Sequence, residues 1–170
     1  MNLSRMRSLA GVGLAALLLV GGCTCSSSKE SAEAQRAADL AKLPKGGGSL
    51  QDQLAAEAAA RPRDTASLEA LTTALTKEGI TFNAPRQLYG QKLLAVYCSA
   101  ADSTNGLIVT VCEYPDAEQA ARGLAEANLI GAKLSGYQSK VSKKSVLQVV
   151  ARSDTPPEHV AKVLGIFEAL

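Results

Sequence analysis

Tryptophan is absent from the 170 residues, and aromatic side chains amount to only two Phe and four Tyr, with a single His. Carbohydrate-stacking platforms and aromatic cages are built from such rings, so the chain is poorly supplied for either. With His159 as the sole imidazole, a histidine cluster for a metal cannot form within one chain. The four cysteines, Cys23, Cys25, Cys98 and Cys112, include no C-x-x-C spacing, the arrangement that marks dithiol redox and zinc sites. An excess of one charge is lacking as well. There are 18 basic and 16 acidic residues, and Arg5 and Arg7 account for the whole formal net charge of +2. The remainder is formally neutral, which leaves no electrostatic footprint for nucleic acid or for an anionic membrane patch. Nor is there a long apolar run: residues 9–20 form the main one, against the roughly 20 residues a membrane-spanning helix needs.

What stands at the start is more specific. Arg5 and Arg7 precede the apolar stretch 9–20, and Val20-Gly21-Gly22-Cys23 leads into Thr24-Cys25-Ser26-Ser27-Ser28. A charged start, a short apolar segment and small residues before a cut are the parts of a secretory signal peptide. The stretch resembles a bacterial lipobox, with Val20, Gly21 and Gly22 at −3, −2 and −1 and Cys23 as the lipidated residue. The resemblance covers about the first 25 residues. It implies that residues 1–22 are a signal peptide removed on export. Cys23 would then carry a diacylglyceryl thioether and an acylated amino group, a palmitate-type membrane anchor. Two or more acyl chains hold a protein stably at a bilayer, where one does not. In related lipoproteins an Asp after the lipidated Cys favours inner-membrane retention. Thr24 stands there, so the resemblance leans to the outer membrane, with the domain facing the periplasm or the cell surface. Cys25 then reads as a spare thiol near the anchor.

Residues 23–63 are rich in Ser, Ala, Lys and Glu and contain Lys45-Gly46-Gly47-Gly48-Ser49. Segments 31–43 and 50–60 are helix-favouring by their alanines, but each has a thin apolar stripe, and short helices are marginal without packing. The expectation is a tether with transient or docked helix, reaching about 35 Å if flexible. The alternative is that residues 50–60 pack on the domain as an extra helix.

The folded part, residues 64–170, starts at a plausible N-cap, Asp64-Thr65. Leu68, Leu71 and Leu75 recur at helical spacing, and Gly79 suits the left-handed position after the helix. Residues 88–101 read as one strand. Asn105-Gly106 is a strong hairpin signal, and 107–114 is a β-branched return strand. Asp116 with Gln119 fits a loose capping box for a helix over 117–129. Residues 137–142 and 146–152 form a second hairpin around Lys143-Lys144. Thr155, Pro156 and Glu158 read as cap, first turn and capping box of a last helix, whose apolar face is Val160, Val163, Leu164, Phe167 and Leu170. The order suggests an α+β fold, a two-layer sandwich of about four antiparallel strands covered by two or three helices. Strand, strand, helix occurs twice, the outline of a duplicated ββα unit.

Cys98 and Cys112 are the informative pair. A hairpin centred on Asn105 sets them opposite each other on one face, within disulfide range, and the space beyond the inner membrane is oxidising. A structural disulfide is expected. A turn shifted by half a residue would instead leave buried thiols, or a redox or metal role. His159 lies near Ser153 and Asp154, a trio that reads more naturally as a helix start than as a catalytic set. Glu113, Tyr114 and Asp116 could line a small polar pocket at a strand end, or simply a solvated edge and a cap. Lys140, Lys143 and Lys144 make a basic hairpin tip of the kind that keeps an edge soluble. No cofactor is implied. The sequence thus points to a membrane-anchored envelope lipoprotein with a non-catalytic binding or structural accessory domain and an unknown envelope protein partner. The alternative is an envelope redox or thiol-dependent enzyme, or a metal-binding protein, using Cys98 and Cys112.

Overall fold

The computed structural model describes residues 27–170. The lipobox, Cys23 and Cys25 lie outside the described residues. Helices α1 (Ser27–Ala41), α2 (Leu50–Ala59) and α3 (Leu68–Lys77) come first. Strand β1 (Arg86–Leu88), a 3-10 turn (Gly90–Leu93), β2 (Tyr97–Asp102) and β3 (Leu107–Glu113) follow. Helix α4 (Ala117–Gly131) leads to the hairpin β4 (Tyr137–Ser142) and β5 (Ser145–Ala151), and α5 (Pro157–Ala169) closes the chain.

The fold is α+β. Its antiparallel sheet runs β1-β2-β3-β5-β4. The segment β3–α4 crosses to the far edge, and β5 returns to the centre beside β3. One strand more is present than the sequence suggested, because residues 88–101 do not form one strand. The chain pairs briefly as β1, leaves the sheet in the 3-10 turn, reverses at Leu94 in a left-handed conformation (φ 59°), and re-enters as β2. Apolar content alone read that excursion as strand. Leu93 and Leu94 are instead packed inward from a turn.

Alternation along the strands divides the core between two faces. Val109, Val111, Leu147 and Val149 are fully buried on one face beneath Leu68, Leu71 and Leu75 of α3 and Val163 and Phe167 of α5. Burying each such side chain contributes about 2 kcal/mol. Cys98, Cys112 and Val146 face the other way, against Ala120 and Ala127 of α4, with Leu88, Leu93 and Leu124 beside them. Helix therefore covers the second face in part. α4 lies close there because two of its residues lack side chains. A Cβ on Gly123 would fall 2.1 Å from the Tyr114 hydroxyl, and one on Gly131 would fall 2.2 Å from the Tyr137 ring.

Two helix starts differ from expectation. The cap of α3 is Ser67, whose hydroxyl accepts from the Ala70 N–H; Thr65 is used elsewhere. Pro156 holds the cap position of α5 without a side-chain bond, because the Thr155 hydroxyl donates to the Asn105 carbonyl and ties the helix start to the β2–β3 turn. Asp116 caps α4 as expected, accepting from the Gln119 N–H at 2.7 Å. The segment expected as a tether forms α1 and α2, both in contact with the domain. Asp39 of α1, Leu43 just after it, and Glu57 of α2 are buried.

Candidate functional site

A cleft of about 550 Å³ opens on the α4 side of the sheet. Its floor is Cys98 of β2 and Gln148 of β5, and the Cys98–Cys112 crosslink joins β2 to β3, the strand between them. Leu88 and Tyr89 at the end of β1, with Lys92 and Leu93 of the 3-10 turn, form one wall. Leu50, the first residue of α2, and Ile130, in the last turn of α4, stand at the rim. These two are 63 % and 54 % exposed, so aliphatic surface reaches solvent at the cleft edge.

The wall is fixed from several directions. A Glu57 carboxylate oxygen accepts the Gly90 N–H at 3.1 Å, and the Gln91 amide donates to the Pro44 carbonyl at 2.9 Å. The Tyr114 hydroxyl donates to the Leu93 carbonyl, and the Gln119 side chain donates to the Leu94 carbonyl. Four separate stretches of chain thus hold a turn that no regular ladder supports. Burial pushes the Glu57 carboxyl above its ordinary range, with the Gly90 N–H and neighbouring glutamines acting against the shift. Burial also raises the Tyr114 phenol, which stays a neutral donor.

Cys98 and Cys112 are cross-strand partners with Cα atoms 4.1 Å apart, joined by a disulfide. Both are 1 % exposed or less, which denies an attacking thiolate ready access to the sulfurs. Among the described residues no group of three or more His, Cys, Asp or Glu side chains is placed to hold a metal ion.

The other sequence candidates separate. Glu113 and Tyr114 point to opposite faces, and Asp116 is spent on its cap, so the three do not line one pocket. His159 borders a second, polar hollow of about 310 Å³ with Asp154, Arg152 and the Asn105-Gly106 turn. No described hydrogen bond links Ser153, Asp154 and His159 into a relay. The lysines of the hairpin tip are engaged: Lys140 with Glu168, Lys143 with the Leu170 carbonyl, and Lys144 with the Arg63 carbonyl.

The pairing of two buried ionic groups is not legible in the sequence, although Glu113 stands there as a candidate pocket residue. Glu113, fully buried, accepts three hydrogen bonds from Arg61 at 2.6 to 3.2 Å and one from the Thr65 hydroxyl at 2.7 Å. Arg61 also grips Glu69 through two nitrogens and lies 4.3 Å from the Tyr97 ring centroid. Its hydrogen bond to Glu69 is the main cause holding that carboxyl below its usual range. On the opposite side, Arg122 of α4 pairs with the buried Asp39 of α1 at 2.6 and 2.9 Å. Burial alone would raise the Asp39 carboxyl, but Arg122, Gln35 and Lys42 outweigh it and hold it low. For Arg61, Asp39 and Arg122 the only sequence signal is a charged residue in or beside an alanine-rich run, which ordinarily means a solvated face. Glu113 stands out as a strand-end carboxylate, but nothing local names its partner.

No family model, curated protein or solved structure matches the chain.

Proposed function

We propose that the chain is a bacterial envelope lipoprotein, held at a membrane by acyl chains on Cys23, whose α+β domain is a binding or structural accessory module rather than an enzyme. The observation that carries the binding role is the cleft beside the disulfide. It is of small-molecule size, its rim is apolar and exposed, and its wall is fixed by four hydrogen bonds, which lowers the ordering cost of binding. Converging polar groups of the sort a reaction needs are few there: Lys92 and Gln148 stand apart, and the Tyr89 hydroxyl donates to the Gln91 side chain at 2.7 Å. The anchor rests on Val20-Gly21-Gly22-Cys23, and the outer-membrane assignment on Thr24.

The test has two arms in living cells. Metabolic labelling with a palmitate analogue should mark the wild-type chain and not Cys23→Ala; label at wild-type level on the variant refutes the anchor. A photo-crosslinking residue replacing Ile130 should give a discrete adduct that one replacing Lys77, exposed on α3 across the sheet, does not. Equal adducts from both positions refute the cleft as the binding face.

A further inference from the structure

We propose that the cleft takes a long-chain carboxylate, with the hydrocarbon lying over the Cys98–Cys112 face of the sheet and the carboxylate at Lys92. The assignment rests on the cleft being the binding face and names its ligand. Leu50, Leu88, Leu93 and Ile130 supply aliphatic walls, and the disulfide supplies a floor without a thiol proton. Tyr89, Lys92 and Gln148 are the polar side chains of the lining, and the Tyr89 hydroxyl is already engaged by Gln91. A sugar or nucleotide would lay more hydroxyls against the aliphatic walls than these can pair, and unpaired polar groups in an apolar site are costly. A single hydrocarbon chain matches both the volume and the lining. Polarity at the site is one-sided. Gln148 on the floor leans on Cys112, with its amide nitrogen 4.0 Å from Sγ. Lys92 is exposed in the 3-10 turn and forms no ion pair among the described residues. One unpaired cation at the mouth of an apolar cleft complements an amphipathic monoanion. It does not complement a zwitterion or an uncharged chain.

Binding is measured by calorimetry on the full chain carrying Cys23→Ala, so that no acyl chain of its own competes. The probes are saturated fatty acids from octanoate to stearate, kept below their aggregation limits, and hexadecanol. Affinity should rise about fourfold per added methylene until the cleft is full and then level off. Palmitate should bind up to about fivefold more tightly than hexadecanol, and Lys92→Gln should erase that preference. Ile130→Asp, at an exposed position, should abolish binding while leaving the thermal midpoint unchanged. Binding without chain-length dependence, or unaffected by Ile130→Asp, overturns the proposal. If palmitate and hexadecanol bind alike and both need Ile130, the carboxylate assignment fails while the cleft stands as a binding face. If neither binds but position 130 still crosslinks in cells, the ligand class is wrong and the face is right. Loss of both signals removes the two readings together.

Discussion

Replacing Arg61 with Met should cost the protein about 3 kcal/mol, the lower end of the range for stripping one partner from a buried ion pair. The lower end applies because the Arg61 side chain is 28 % exposed while that of Glu113 is 0 % exposed, so water reaches one partner and not the other. After the substitution Glu113 keeps only the Thr65 hydroxyl of its four hydrogen bonds, and the stacking of the guanidinium on Tyr97 is lost, worth about 0.5–1 kcal/mol at a partly exposed site. Urea unfolding followed by far-UV circular dichroism suits a chain without Trp. For a urea dependence of about 1–3 kcal/mol per molar, the midpoint should fall by roughly 1–3 M with the slope unchanged. The partner experiment is Arg61→Met in a Glu113→Gln background. With no buried charge left behind, the second substitution should cost less, giving a coupling of at least about 1 kcal/mol. A chain shortened to begin at Asp64 lacks Arg61 and, with α1 and α2, the Asp39 and Glu57 contacts as well, so its deficit should exceed that of Arg61→Met, whereas one beginning at Ser49 retains Arg61 and should melt cooperatively. A loss under about 0.5 kcal/mol for Arg61→Met, or strict additivity with Glu113→Gln, would refute the account of Glu113 as a buried charge dependent on one guanidinium.

Cys98→Ser combined with Cys112→Ser should lower stability by up to about 3 kcal/mol, set by the separation of 14 residues, while the circular dichroism spectrum stays native; non-reducing peptide mapping of envelope material that finds both thiols free would remove the crosslink altogether. Arg122→Ala should release α1, seen as faster amide exchange confined to residues 27–43, with the sheet unaffected. The folded-state carboxyl of Asp39 is held below its ordinary value near 3.8, so its contribution is present above that pH and is lost as the pH falls through the folded-state value; acid should loosen α1 in the wild type and have no further effect on α1 in Arg122→Ala. Glu57 has the opposite sign. Its folded-state carboxyl lies above the ordinary 4.5, so the stability it adds is complete below that pH and is lost as the pH rises, and the thermal midpoint of Glu57→Gln should gain on the wild type between pH 4.5 and 7.

Local signals in the sequence located what local chemistry determines. Asn105-Gly106 places the β2–β3 turn, that turn places Cys98 opposite Cys112, and the leucines of α3 and the apolar face of α5 come out of helical spacing. Residues whose roles depend on distant neighbours were misplaced for one physical reason. Thr65 and Thr155 have the chemistry of helix caps, yet Glu113 and the Asn105 carbonyl claim their hydroxyls across 48 and 50 residues of chain. Leu93 and Leu94 have the apolarity of a strand, but the Glu57, Pro44, Tyr114 and Gln119 bonds draw their segment into a turn. The cleft itself was not legible, since its lining comes from α2, β1, the 3-10 turn, β2, α4 and β5, and nothing local marks Leu50 or Ile130 as neighbours of Cys98.

The docking of α1 has a mechanical consequence. α1 begins at Ser27, only four residues beyond Cys23, and a fully extended chain covers at most about 3.6 Å per residue. An anchor at Cys23 would therefore hold the docked domain on a leash of about 14 Å, too short for it to turn freely over the bilayer. The Asp39–Arg122 and Arg36–Glu126 pairs would then choose which side of the domain looks down at the lipid and which looks out. Breaking them would add the whole of α1 and the linker behind it to the leash, turning a fixed posture into a wide local search.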